Sequence, residues 1–262
     1  MTVRTIPATL GRILEELELD RPRVVTRNDI DDLRRRTGTS STAPYLVEQL
    51  LKNGWLLPLK ARGVWEFAPA ARAGAFSGGD RFVELRATIR KRPDLGVAVA
   101  AESAAWLHGF AGRAPTRDAI SALTSLVVPP ALRSFRLVSR TPRLDPIARD
   151  GLPCWSVASL LAISADRPST YRDWPNVTDW LGEAAAQVSL DALTEELTGR
   201  PRSAWARLAY LVDRGGRVDL AGALIEKAPS GHGPYFLGRR DRHGHHDGRF
   251  DVIDSALTQA AK

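Results

Sequence analysis

The side chains with the most evident chemistry are hydrogen-bonding and cationic groups gathered between residues 40 and 62: Ser40, Ser41, Thr42, Tyr45, Gln49, Lys52, Lys60 and Arg62. Hydroxyls and a carboxamide can read the edges of bases, whereas lysine and arginine are better suited to phosphate oxygens. Ser41, Thr42, Tyr45 and Gln49 fall in the first group, and Lys52, Lys60 and Arg62 in the second. Glu48 shares their helical face; it repels a phosphate backbone unless it accepts from a cytosine amine. Tyr45 can equally be a half-buried packing residue.

Other chemistries find less to work with. His243, His245 and His246, with His232, Asp241 and Asp247 near in sequence, have the right donors for zinc, but a structural zinc site brings two separated pairs of ligands and no second pair is visible. A polar loop is the simpler reading. His108 stands at the end of a predicted helix, where it can bond the last carbonyls. The lone Cys154 lies in an apolar run, which suggests a buried thiol. No nucleophile elbow, glycine-rich phosphate loop or metalloprotease motif is present. The expectation is a protein without catalysis and without a cofactor.

The elements that must position the first set lie in residues 24–67. Thr26 followed by Asp29 has the spacing of a reciprocal cap, Ile30 and Leu33 mark a buried side, and Gly38 stops that helix. A turn through Gly38, Thr39 and Ser40 leads to a second helix, capped by Ser40 or Ser41, with Pro44 early in it and an end at Asn53-Gly54. At ~100° per residue, Ala43, Leu46, Val47, Leu50 and Leu51 gather on one side of it, and the polar set on the other. Two β-type runs, 55–59 and 64–67, flank Lys60-Ala61-Arg62-Gly63, a hairpin with two cations at its tip. With a preceding helix built on Ile6, Leu10, Ile13, Leu14 and Leu17, this is the order of a winged helix-turn-helix. Such a module places one helix in the major groove of double-stranded DNA. The same module can dock on a protein through its wing, and that alternative stays open.

The whole chain supports two domains: 262 residues, with 37 basic against 30 acidic side chains and a formal charge of +7. The excess favours polyanionic partners without proving one. A small-residue stretch up to Asp80 separates a winged domain, 1–75, from a larger one, 80–262. Asp80 is expected to cap a helix containing Phe82, Leu85 and Ile89. Strands are then expected at 97–100, 123–128, 135–138 and 152–155, with helices at 102–108 and 157–165. Helices follow at 177–187, 190–197, 203–214 and 218–227, before a hairpin pairing 235–237 with 250–253. The fold class is α+β: a winged helix, then a mixed α/β domain with a small sheet and a helical C-terminal third. One cysteine allows no internal disulfide, and neither a signal-peptide core nor a run of ~20 apolar residues is present, so a cytoplasmic protein without membrane partners is expected.

Four segments in this order, NGWLLPLKARGVWEF, VAVAAESAAWLHGF, GLPCWSVASLLAISADRP and RSAWARLAYLVDRGG, make the chain resemble the AbiE-type antitoxin family, the antitoxin half of a type IV toxin-antitoxin pair. The first is generic to bacterial winged helices; the ordered co-occurrence of the other three carries the resemblance. It implies a repressor that binds inverted repeats upstream of its own operon. It also implies a second domain that counteracts a nucleotidyltransferase-like toxin.

Overall fold

The computed structural model describes residues 6, 8–70, 79–122, 128–240 and 243–257 of a mixed α+β chain. It divides into two compact units, Met1–Leu95 with Val127–Ser134, and Gly96–Leu126 with Phe135–Lys262.

Unit 1 runs α1 (Gly11–Asp20), β1 (Val24–Thr26), α2 (Arg27–Thr37), α3 (Ala43–Lys52), β2 (Leu56–Pro58), β3 (Val64–Phe67) and α4 (Val83–Lys91). The strands form an antiparallel sheet with β3 in the centre, Trp65 facing Val25 and Glu66 facing Leu57. Ile13, Leu17, Ile30, Leu46, Leu50, Leu56 and Phe67 close the core between helices and sheet. This is the element order and sheet of a winged helix. The start of α2 is doubly tied: Asp29 N donates to Thr26 Oγ1 at 3.2 Å, and Thr26 N to Asp29 Oδ2 at 2.8 Å. Gly38 ends the helix in the left-handed region at φ 66°.

Local expectations change in three places. Ile6 is exposed and outside α1, as Pro7 behind it disfavours helical backbone there. The residue capping α3 is Thr42, without a side-chain bond, so Ser40 and Ser41 lie in the turn instead of serving the helix start. Phe82 occupies the cap position of α4; Asp80 sits two residues earlier, accepts from Phe82 N at 3.0 Å and pairs with buried Arg86.

Unit 1 also continues past the expected break at 75–80, because α4 backs the wing. Ala61 and Val64 pack with Ala87 of α4 and with Ala131, from the 3-10 turn Pro130–Leu132. Glu84 Oε1 accepts from Lys60 N at 2.9 Å, Lys91 Nζ donates to the Arg62 carbonyl at 2.9 Å, and Arg90 pairs with Asp29 at 2.7 Å. Much of the cationic character of this helix is thus engaged within the unit rather than merely solvated.

Unit 2 begins with β4 (Val97–Val99), α5 (Ala101–Leu107), β5 (Ala119–Ala122), β6 (Arg136–Val138), β7 (Ile147–Arg149), β8 (Leu152–Cys154) and α6 (Val157–Asp166). The sheet order is β6-β5-β4-β8-β7, with β4 parallel to β8, β5 parallel to β6, and the other pairs antiparallel. Most of the strand expected at 123–128 lies outside the described residues; β5 and β7 are strands that the sequence pattern did not announce. Trp155 is fully buried and donates from Nε1 to Ser121 Oγ at 2.8 Å, which joins the end of β8 to β5.

The helices α7 (Val177–Ala186), α8 (Leu190–Leu197), α9 (Arg202–Arg214) and α10 (Val218–Lys227) follow. Glu196 of α8 is fully buried and accepts from Ser159 Oγ at 2.6 Å, from the amides of Arg143 and Leu144 at 3.1 Å, and from Arg200 at 3.4 Å. A buried carboxylate is tolerable only with such a set of donors.

The chain closes with β9 (Tyr235–Leu237), β10 (His245–Asp247) and β11 (Val252–Asp254). The expected hairpin of the first and last runs does not form: β9 and β11 are parallel, and β10 pairs antiparallel with β11. The intervening segment is long enough for a crossover, so part of the histidine-rich stretch becomes a strand. No helix among the described residues is long and apolar enough to cross a membrane.

Candidate nucleic-acid interface

The α3 helix separates its faces cleanly. Ala43, Leu46, Val47 and Leu50 are buried, while Thr42, Tyr45, Glu48 and Lys52 are exposed and Gln49 is half-buried. Tyr45 is 44% exposed, so its hydroxyl has access to a partner. In the turn before the helix, Ser40 is exposed and Ser41 half-buried. At the wing, Lys60 and Arg62 are exposed on either side of buried Ala61, and Gly63 closes the turn at φ 81°. The tip backbone is held by Glu84 and Lys91, as described, while the two cationic side chains remain accessible.

A feature not singled out from the sequence adjoins α3. A shallow groove of about 390 Å³ is lined by Arg27, Asn28, Asp31 and Arg34 of α2 and by Thr42, Ala43 and Pro44. Arg27 and Asn28 are exposed in the first turn of α2, next to the start of α3. Their signal was available: the Thr26 cap places the following two residues in the first helical turn, where amides point outward. Arg34 is partly neutralised by Asp31 at 2.9 Å. Behind the groove, burial raises the pKa of Asp29, yet hydrogen bonds from Thr26 and the Arg90 charge outweigh it and hold the carboxyl below its ordinary value. Asp29 therefore stays ionised as a fixed anchor.

In unit 2 the titratable groups singled out earlier have structural partners. His108 is the C-cap of α5, but bonds outside its own helix: Nε2 lies 2.8 Å from the Trp155 carbonyl, and Nδ1 accepts from Arg149 at 3.3 Å. Burial and the neighbouring Arg149 charge lower its pKa against the opposing effect of the Trp155 bond. The Cys154 thiol is buried and pushed up to about 12 by desolvation, so it stays protonated at neutral pH. His246 reaches Asp251 at 3.1 Å on the exposed terminal hairpin. Among the described residues, no three histidine, cysteine or carboxylate groups come together as metal ligands do.

A winged-helix unit joined to a mixed α/β unit with a five-stranded sheet defines the class of protein. Residues 97–214 match the family model described as the AbiEi antitoxin C-terminal domain. The second unit thus carries an AbiEi-type antitoxin domain, which places the chain on the antitoxin side of a toxin-antitoxin pair. A solved structure, that of the RV2827C protein from Mycobacterium tuberculosis, is similar over 99% of this chain and 95% of its own, with 26% identity and a TM-score of 0.79. No curated protein sequence matches.

Proposed function

We propose that the protein is a cytoplasmic, non-catalytic autorepressor and antitoxin. Unit 1 binds double-stranded DNA at inverted repeats upstream of its own operon, and unit 2 counteracts a nucleotidyltransferase-like toxin encoded beside it. The observation that carries the DNA reading is the polar, accessible side of α3 beside a basic wing whose backbone is braced from behind. Ser41, Thr42, Tyr45 and Gln49 address base edges, Lys52, Lys60 and Arg62 address phosphates, and Ser40 belongs to the same DNA-binding surface. Copies on an inverted repeat would sit about one helical turn apart or a multiple of it.

A gel-shift titration with the DNA immediately upstream of the coding region tests this, with a scrambled duplex as competitor. Specific retardation that scrambled DNA does not compete away is the expected result. Retardation no stronger than on the scrambled duplex overturns it, and then favours docking of the wing on a protein partner.

A further inference from the structure

Unit 2 contains a cavity of about 410 Å³ bounded by Arg113, Arg117, Arg136 and Arg172, with Glu102 and Tyr171 in its wall. It forms beside the strand-to-helix turn after β4. There Ala101 takes φ 50°, a left-handed conformation costly for a residue with a Cβ. That turn leads directly into Glu102, which is buried in the first turn of α5. The Glu102 carboxylate accepts from the Arg136 guanidinium and from the backbone amide of Arg172. One arginine charge is thereby balanced, and the segment bearing Arg172 is anchored from residues far away in sequence.

Arg117 donates to the Phe135 carbonyl at 2.9 Å. Arg113 and Arg172 are exposed, and among the described residues no hydrogen bond or ion pair holds either guanidinium. Asp173, also in the lining, accepts from the Asn176 amide at 2.8 Å. Four guanidinium groups thus face two carboxylates around one concave space. Guanidinium forks match phosphate oxygens in pairs, and clustering them without counter-charge is unfavourable unless an anion is recruited.

We propose that this cavity binds the terminal phosphate of a small phosphate ester. A dianionic monoester gains more from the two unpaired arginines than a singly charged diester does. The volume is that of a nucleotide-sized ligand, and a double helix cannot enter it. A free nucleotide and the phosphorylated end of a nucleic-acid strand share this chemistry. The lining residues all belong to unit 2 and include none of the residues assigned to DNA in unit 1.

The test is calorimetric titration of the full chain at constant ionic strength with inorganic phosphate, AMP, and a single-stranded oligonucleotide bearing either a 5′-phosphate or a 5′-hydroxyl. Saturable binding of AMP is expected, weakened at least about tenfold by Arg113→Ala and by Arg172→Ala, the loss of one charge-assisted contact each. Arg172→Lys, which keeps charge but loses the fork, should fall between Arg172→Ala and the parent. Lys60→Ala with Arg62→Ala should leave AMP binding unchanged. If the 5′-phosphorylated oligonucleotide outcompetes AMP, the strand end is the source; if it does not, the free nucleotide is. The proposal is overturned if none of the phosphate ligands saturates, if the arginine variants bind as the parent does, or if the 5′-hydroxyl oligonucleotide binds as well as the phosphorylated one.

Discussion

Removing the two wing cations, Lys60→Ala with Arg62→Ala, should weaken binding to every duplex and flatten its dependence on salt. Each phosphate contact contributes about 0.9 to the slope of log affinity against log salt, so two contacts contribute about 1.8. A fourfold rise in salt should therefore narrow the gap between parent and variant roughly tenfold, because the parent has more counterion release to lose. The structure separates this effect from misfolding. Ala61 between the two positions packs inward, and the tip is held through the Lys60 amide and the Arg62 carbonyl, neither of which the substitutions remove. Stability should thus stay within about 0.5 kcal/mol of the parent. Fluorescence anisotropy on operator and scrambled duplexes across a salt series, with a melting curve for each protein, measures both quantities. A parallel shift of the two salt plots, with no change in slope, would refute the placement of the wing on phosphates.

Two further outcomes concern unit 2. Glu196→Ala should destabilise the protein by about 3 kcal/mol or more in chemical denaturation, since two backbone amides, a serine hydroxyl and an arginine lose a buried acceptor together. For His108 the folded pKa lies below the ordinary value of 6.5, so the unfolded chain binds the proton first as pH falls. Its contribution to stability is present above about pH 6.5 and is lost as pH drops through the lowered folded value. The melting temperature of the parent should therefore fall more steeply than that of His108→Gln between about pH 7 and pH 5, and identical profiles would contradict the neutral, Trp155-bonded imidazole.

The legible parts of this protein were those governed by neighbours in the chain. A Thr-Asp pair three residues apart caps a helix, a glycine at positive φ stops it, and apolar residues at helical spacing choose its buried side, all within a few turns of backbone. The polar face of α3 and the basic wing were accordingly visible as a pattern, and the helices of the C-terminal third fall close to where their apolar periodicity puts them. The cap of α3 was misplaced because Ser40, Ser41 and Thr42 are all good candidates by type, and only backbone geometry chooses among them.

What the linear pattern could not decide is which distant segments meet. Alternation marks a strand without naming its partner, so the runs at 235–237 and 250–253 suggested a hairpin although β9 and β11 are parallel neighbours. Likewise, the partners of the α4 cations come from outside that helix: Asp29, Asp80 and the Arg62 carbonyl lie beside Arg90, Arg86 and Lys91. The arginine-lined cavity has no sequence signature, since Glu102, Arg136 and Arg172 are joined only by the packing of α5, β6 and the segment before α7. Charge pairing and cavity shape depend on separations of a few ångströms, and those are set once the whole chain has condensed, when burial makes each unpaired group too costly to leave in place.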